Sequence, residues 1–434
     1  MMKKYKCVTF GCQMNVHDSE KIAGILESMG YKPTELSEEA DIIVFNTCCI
    51  RDTAEKRAFG NIGALKQLKR EKKDLIIAVV GCMPMQDGYT EIFKTKYPYV
   101  DIVLGTKSFG LIKEKIEALS ASKKRIFDVS DAAEGFDDSV VTRTSYPNAW
   151  INIMTGCDNF CSYCIVPYVR GREVSRDFEL VISEAKKVVD EGYKEITLLG
   201  QNVNSYKSGG KNFADVLSEI DKIEGKFRVR FMTSHPKDLS EEIIDAVAKS
   251  DKICNNVHLP VQSGSNAVLA AMNRKYTRER YFELIEMIKS KLGGVGITTD
   301  IMVGFPGETE KDFEDTLDLV EKCRFSNAFT FIYSARKNTA AAKLPQIPYD
   351  IKRRRIGELI KLQNKITKEL SEQYINNEYE VLVEGLNDKY QGTVAGRTES
   401  GRLVTMPGGR ELIGSFVNVL ITESKSASLF GKII

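Results

Sequence analysis

Three cysteines fall within one short run, Thr155-Gly-Cys-Asp-Asn-Phe-Cys-Ser-Tyr-Cys-Ile165. A chain that gathers thiols this tightly folds around whatever they bind. The C-x3-C-x2-C spacing of Cys157, Cys161 and Cys164 gives three thiolates to an iron–sulfur cluster that ordinarily takes four, leaving one iron open to a non-protein ligand. Structural zinc uses related spacings, but its sites are closed by a fourth Cys or His. The three histidines, His17, His235 and His258, all lie far from the loop in sequence. Folding can bring one in, yet the spacing favours an open cluster over zinc, and both over a plain core.

Ten cysteines in all raise the question of redox compartment. The start, from Met1 to Lys6, enters a strand-like run with neither a secretory apolar region nor a membrane span. The expectation is a cytoplasmic protein without a membrane partner, whose thiols are ligands and core residues rather than disulfides. A net charge of +2 over 434 residues excludes a generally basic nucleic-acid coat but leaves room for local patches. The length suits two or three domains.

The first hundred residues alternate short apolar runs with helical patterns. Strands are expected at Lys6 to Phe10, Asp41 to Asn46, Leu75 to Val80 and Val100 to Leu104, with helices from about Asp18 to Met29 and Thr53 to Leu68. This predicts an α/β domain with an open parallel sheet, over residues 1–121. Three of its strands end at Gly11-Cys12, Thr47-Cys48 and Gly81-Cys82. Loops after the carboxyl ends of parallel strands share one edge, where ligands bind, so Cys12, Cys48 and Cys82 can converge as a second tripod. Cys49 can in principle replace Cys48. Cys7, Cys254 and Cys323 sit inside apolar runs and read as core.

Residues 122–148, polar and carrying Gly135 and Pro147, read as a linker. The βα pattern then resumes over 149–374, with strands at Trp150 to Met154, Glu195 to Leu199, Arg228 to Thr233, Asn256 to Leu259, Gly296 to Val303 and Ala328 to Tyr333. Six βα units predict a partial barrel whose post-strand turns face one mouth. A helix from Asp350 to about Tyr374 follows. Residues 375–434 read as a small all-β module with strands at Tyr379 to Val383, Gly392 to Ala395, Arg402 to Met406 and Ser415 to Thr422. Two basic stretches, Lys352-Arg-Arg-Arg355 and the helix bearing Lys56, Arg57, Lys66, Lys69, Arg70, Lys72 and Lys73, read by default as solvated faces. Cations at the start of the later helix oppose its macrodipole by up to about 1 kcal/mol, a cost that a phosphate partner would offset.

The loop at Cys157, Cys161 and Cys164, with Tyr163 before its last cysteine, resembles the cluster loop of the radical S-adenosylmethionine (SAM) enzymes. The runs Gly11-Cys-Gln-Met-Asn15, Asn46-Thr-Cys48 and Val80-Gly-Cys82 narrow the resemblance to the methylthiotransferases. Gly396-Arg-Thr-Glu-Ser-Gly-Arg402, with Ser428-Leu-Phe-Gly431, is similar to the TRAM domain, an RNA-binding β-barrel. Within the family, Gly11 to Asn15 and Gly396-Arg-Thr398 look most like the tRNA-2-methylthio-N6-dimethylallyladenosine synthases. Relatives act on threonylcarbamoyl-adenosine or on a ribosomal-protein aspartate.

The resemblance implies two [4Fe-4S] clusters, an auxiliary one on Cys12, Cys48 and Cys82 and one on Cys157, Cys161 and Cys164 that binds SAM. It implies two SAM molecules per turnover. The reaction would insert sulfur at C2 of the isopentenylated adenosine beside the anticodon and cap it with methyl. Gly200, Gln201, Asn202, Ser234 and Gln262 would line the SAM pocket, although turn chemistry alone explains such residues at strand ends. Arg397, Arg402 and Arg410 are candidate RNA contacts. The partners implied are the tRNA anticodon stem-loop, an electron donor such as flavodoxin or ferredoxin, and an iron–sulfur or sulfur delivery system. The competing class is a non-catalytic RNA-binding protein with structural metal sites.

Overall fold

The computed structural model describes residues 2–50, 52–130 and 141–434. Part of the expected linker, with Gly135, lies outside these residues.

The chain first builds a six-stranded, wholly parallel sheet in the order β2-β1-β3-β4-β5-β6. Its strands are β1 (Lys4–Thr9), β2 (Lys32–Pro33), β3 (Ile42–Thr47), β4 (Ile76–Gly81), β5 (Ile102–Leu104) and β6 (Ile126–Asp128). Helices α1 (Gln13–Ser28) and α4 (Ile112–Ser122) cover one face, and α2 (Asp52–Glu71) and α3 (Tyr89–Thr95) the other. The apolar runs are continuous because both faces are covered. Ile42 and Val44 pack with Ile22 and Leu26 of α1, while Ile43 and Phe45 pack with Ile62 of α2 and Phe93 of α3. Burying each such side chain contributes roughly 1.5–3 kcal/mol.

Two expectations are corrected here. Helix α1 starts directly after Cys12, well before Asp18. The polar residues that hid its start, Asn15, His17 and Asp18, are buried rather than solvated. Strand β6 falls inside the stretch read as linker and pairs with β5 from Ile102↔Ile126 to Leu104↔Asp128, so the first sheet continues past residue 121.

The second unit holds six parallel strands: Asn148–Asn152, Glu195–Leu199, Arg228–Phe231, Asn256–His258, Gly296–Val303 and Asn327–Ile332. They form two three-stranded sheets joined by the bridge Val229↔Ile253, an open partial barrel. Its core is apolar, with Ile151, Leu198, Val229, Val257, Ile301 and Tyr281 all buried. The long helix Tyr349–Glu372 closes it through Leu359 and Ile366.

Strands Glu378–Leu386, Thr393–Thr398, Leu403–Pro407, Phe416–Lys425 and Ser428–Ile433 form a closed barrel. Its turn at Glu399 to Gly401 seals the amino-terminal end of the larger barrel. Arg228 donates to Arg397 O at 2.8 Å, Arg230 to Thr398 O at 2.8 Å and to Glu399 O at 2.9 Å. A Cβ at Gly296 would fall on Ser400 O, so only glycine admits the turn there. Among the described residues no helix is long and apolar enough to cross a membrane.

Candidate metal centres and their shared junction

In an open parallel sheet, ligands bind where the strand order reverses. Here that point lies between β1 and β3, and Cys12 and Cys48 follow those two strands. Cys82 follows β4, the next strand over. The turns are tight: Gly11 has φ +144, and a Cβ on it would stand 2.8 Å from the Cys48 Cβ, while Gly81, with φ +100, has no room beside Thr47. Asn15 and Asn46 brace these turns, Asn15 Nδ2 donating to Asn46 Oδ1 at 3.0 Å and Asn46 Nδ2 to Asn15 O at 2.8 Å.

Cys48 lies within electrostatic reach of both Cys82 and Cys12. Burial, and then the Cys82 charge, pushes the Cys48 thiol up to about 11. Cys82 is held below the ordinary thiol range because Cys49 donates to it and the Arg170 guanidinium lies beside it. Cys49 is raised by that same hydrogen bond and by burial. Cys48 Sγ accepts from Ile50 N at 3.4 Å.

The second trio sits in the loop after the first barrel strand. Gly156, with φ +77, makes the entry turn, and a Cβ there would collide with Arg172 O. The thiolates receive donors: Asn159 Nδ2 lies 3.5 Å from Cys157 Sγ and Arg274 Nη1 3.4 Å from Cys161 Sγ. Donors of this kind tune a cluster's potential. Burial, followed by the Cys161 charge, pushes Cys164 up to about 12, so a ligand of strong positive charge is needed to hold it as thiolate. Arg274 is fixed by Pro260 O at 2.8 Å and the Tyr276 hydroxyl at 3.1 Å. Nothing in the sequence distinguished it from any other arginine.

The two trios are neighbours. Cys49 and Cys82 pack with Met85, Ile165 and Val169, the last two lying just beyond Cys164. Helix α5 (Val166–Arg170) ends in Arg170, which donates to Asp18 of α1 at 2.8 Å and stands beside Cys82 and Cys12.

The strand ends above the cluster loop carry buried polar atoms without a protein partner: Asn152 Oδ1, Gln201 Oε1, Asn202 Oδ1, Asn204 Oδ1 and Nδ2, Ser234 Oγ and His235 Nε2. Such groups need a partner from water or ligand. Of the sequence candidates, Gln201, Asn202 and Ser234 belong to this set. Asn202 also donates to Asp238 at 2.7 Å. Gly200 is explained by packing, since a Cβ would strike Met154. Gln262, with φ +72, holds the neighbouring strand through backbone bonds of 2.8 Å to Asp300 O and from Met302 N. His235, to which the sequence assigned no role, accepts from Lys237 N at 3.1 Å through Nδ1. Burial, then the Arg274 charge, lowers it to about 2. It is therefore neutral, with its proton on the unpartnered Nε2.

Neither trio acquires a histidine through the bonds made among the described residues. His258 bonds Thr298, His235 bonds Lys237, and His17 faces Glu20 at 4.0 Å. Nor do any three His, Cys, Asp or Glu side chains among them gather as a single metal ion requires. A cube of four irons takes each thiolate on a different iron. Cys157, Cys161 and Cys164, which no fourth thiol or histidine is seen to bond among the described residues, suit that group better than closed zinc, while Cys49 stands beside the first trio. Cys254 and Cys323 are buried in the larger barrel's unit and Cys7 lies within β1, in keeping with core roles.

Several expected RNA contacts are otherwise engaged. Arg402 is buried, donating to Ser326 O at 3.2 Å and Ser371 Oγ at 3.4 Å beneath the Tyr374 ring. It belongs to the joint between the two barrels. Arg397 pairs with Glu384, whereas Arg410 is exposed. The run Lys352 to Arg355 is also corrected. Arg355 pairs with Glu308 at 2.8 Å, Arg354 with Glu310 at 2.6 Å, and Lys352 is buried against Tyr333 O. Carboxylates of the fold, not a phosphate, offset the helix-dipole cost. Lys69 on α2 and Lys72, just past its end, likewise bind Asp101 and Asp41.

The partial barrel with its open trio of cysteines defines a radical SAM protein, with a thiol-edged sheet domain in front and a closed β-barrel behind. Residues 151–320 match the Radical SAM superfamily, 4–105 the Uncharacterized protein family UPF0004, and 372–434 the TRAM domain. The chain belongs to the family of tRNA-2-methylthio-N(6)-dimethylallyladenosine synthases. It is 49% identical over 440 residues to the synthase of Alkaliphilus oremlandii, covering 100% of this chain and 93% of that one. It is 49% identical over 437 residues to that of Carboxydothermus hydrogenoformans, covering 100% and 99%. Among solved structures, the radical S-adenosylmethionine methyltransferase TsrM from Kitasatospora setae shares the fold, with TM-score 0.58 and 14% identity over 79% of this chain and 77% of that one.

Proposed function

We propose that this chain is a tRNA methylthiotransferase that places a methylthio group at C2 of N6-isopentenyladenosine beside the anticodon, using two [4Fe-4S] clusters and SAM. The clusters and SAM together supply the radical that removes hydrogen from an unactivated carbon, and the sulfur and methyl that replace it. Cys157, Cys161 and Cys164 hold one cluster, and Cys12, Cys48 and Cys82 the other. The observation that carries the reading is the junction where Cys82 of the first trio packs with Ile165 and Val169, which follow Cys164 of the second trio in the chain. A single base can reach both groups only if they are this close.

The chain's own side chains orient and shield. Gln201, Asn202, Ser234 and the Nε2–H of His235 offer a mixed set of acceptors and donors, suited to the amino, carboxylate and ribose groups of SAM. Arg274 and Asn159 donate to the cysteine sulfurs that would hold the cluster, Cys161 Sγ and Cys157 Sγ. Met85, Ile165 and Val169 exclude water between the centres. In the domain assignment we propose, the sheet domain carries the auxiliary cluster, the partial barrel carries SAM, and the closed barrel joins tRNA binding through exposed residues such as Arg410. A flavodoxin or ferredoxin as reductant, a separate sulfur delivery system and a cytoplasmic setting complete the reading.

The test is anaerobic reconstitution with iron and sulfide, followed by reductant, SAM and tRNA from a strain lacking the modification. Formation of 5′-deoxyadenosine together with methylthio-isopentenyl-adenosine is expected. A fully loaded protein that yields neither would be a binding module, and a different methylthiolated product would move it to a sister activity.

A further inference from the structure

Phe160 stands between Cys157 and Cys161 in a backbone conformation, φ +46, that large side chains rarely adopt. Burial does not compensate the strain, since its ring is 36% exposed. The conformation is enforced by Asn273 Nδ2, which donates to Asn159 O at 3.2 Å and Phe160 O at 3.0 Å. Residues held in such regions cluster at ligand clamps.

Tyr168, on α5, is 50% exposed and meets Phe160 edge to face with ring centroids 6.2 Å apart. The Arg172 guanidinium lies over Phe160 at 5.2 Å and is itself well exposed. Beside Tyr168 a hollow of about 170 Å³ is lined by Met85, Tyr89, Ile165 and Val169 and, on its polar side, by Lys337 and by Asp87, whose carboxylate is held by Asn338 at 2.6 Å. Ligand pockets for drug-sized molecules begin at roughly 300 Å³, so this one takes a single ring system. Its floor, Met85 and Ile165, is the same apolar wall that packs on Cys82.

We propose that Phe160, Tyr168 and this hollow form a stacking platform for unpaired RNA bases flanking the modified adenosine. The inference rests on the tRNA reading above and specifies which surface meets the loop. Single-stranded RNA is bound by exposed aromatic rings that stack on bases, with cations tracking the backbone. Two cations stand at this rim, Arg172, which also pairs with Asp158 at 3.0 Å, and Lys337, which donates to Asp87 O at 3.3 Å. A second hollow, about 420 Å³, is lined by Asp215, Glu241, Glu242 and Asp245 against the single cation Lys249, and its acidic walls repel phosphate. The aromatic hollow opens beside the centres where the target base must arrive.

The experiment measures binding of a fluorescently labelled anticodon stem-loop, carrying isopentenyladenosine, to anaerobically reconstituted holoenzyme and its Tyr168→Ala, Phe160→Ala and Tyr168→Phe variants. Iron content is read for each, so that only loaded protein is compared. Each alanine variant is expected to raise Kd about tenfold, and Tyr168→Phe to restore wild-type affinity because the ring remains. If Phe160→Ala fails to load, Tyr168→Ala, outside the cysteine loop, decides the matter. Wild-type affinity in both loaded alanine variants overturns the platform while leaving the tRNA reading intact. The same result with slower reduction by flavodoxin would give the patch to a redox protein instead. Holoenzyme that binds no stem-loop at all overturns the tRNA reading and the platform with it.

Discussion

The Arg170 guanidinium, at the end of the helix that follows Cys164, donates to the Asp18 carboxylate 2.8 Å away on the helix that follows Cys12. Both side chains are buried, and this ion pair ties the sheet domain to the barrel between the two cysteine trios. Burial makes the pair weak evidence for net stability, but strongly sensitive to the loss of one partner.

Arg170→Met leaves Asp18 buried without a partner and is expected to cost about 3–5 kcal/mol. It also removes the cation beside Cys82 and Cys12, so iron per chain falls toward one cluster. The double variant Asp18→Asn with Arg170→Met should recover much of the folding loss but not the iron. Chemical unfolding and iron analysis separate the two effects. Equal iron loading of Arg170→Met and wild type would remove Arg170 from the auxiliary site.

Cys48 and Cys49 are adjacent and both buried, yet their settings differ. Cys48 lies against the turn of Gly11, while Cys49 is a donor to Cys82. Cys48→Ala is expected to lose the auxiliary cluster, as are Cys12→Ala and Cys82→Ala, whereas Cys49→Ala keeps it. Mössbauer spectra of the four variants count the clusters, and the reverse pattern would exchange the roles of the two residues.

Arg402 is a structural residue of the joint between the barrels. Its replacement by alanine removes two charge-assisted bonds, leaving Ser326 O and Ser371 Oγ only their bonds with Thr367, and is expected to cost about 1–3 kcal/mol. A thermal shift should therefore accompany any loss of tRNA affinity. Weakened binding at unchanged Tm would return Arg402 to the RNA surface.

His235 is lowered to about 2, chiefly by burial and then by Arg274, Lys237 and Lys275. Its folded pKa lies below the unfolded value, so the unfolded chain takes up a proton that the fold refuses. The stability involved is fully present above about pH 6.5 and declines as pH falls toward about 2, by about 1.4 kcal/mol per unit for this one group. Urea midpoints of His235→Asn, compared with wild type in the same metal state, should fall less steeply between about pH 6.5 and about pH 5. Parallel slopes would show that His235 is not held neutral.

Particular elements show why the reading from sequence stopped where it did. Barrel strands such as Glu195–Leu199 and Gly296–Val303 were legible to the residue because they are rich in β-branched and apolar residues and bounded by turn residues. The first turns of α1 were not, because Asn15, His17 and Asp18 are polar and nonetheless buried, Asn15 bonding Asn46 of β3 and Asp18 bonding Arg170 of α5. Arg355 and Lys352 read as part of a solvated face because Glu308 and Tyr333 are brought to them only by folding. Arg274 left no mark in the sequence at all.

The sequence by itself determined the ligand chemistry. Thiols placed three and four residues apart can share a cluster, and thiols placed after successive parallel strands must share an edge, since periodicity fixes both local spacing and strand ends. Tertiary structure alone decided which charges meet. Arg170 and Asp18 are 152 positions apart, and a buried ion pair forms only where packing removes water from both partners, a condition that local pattern does not encode.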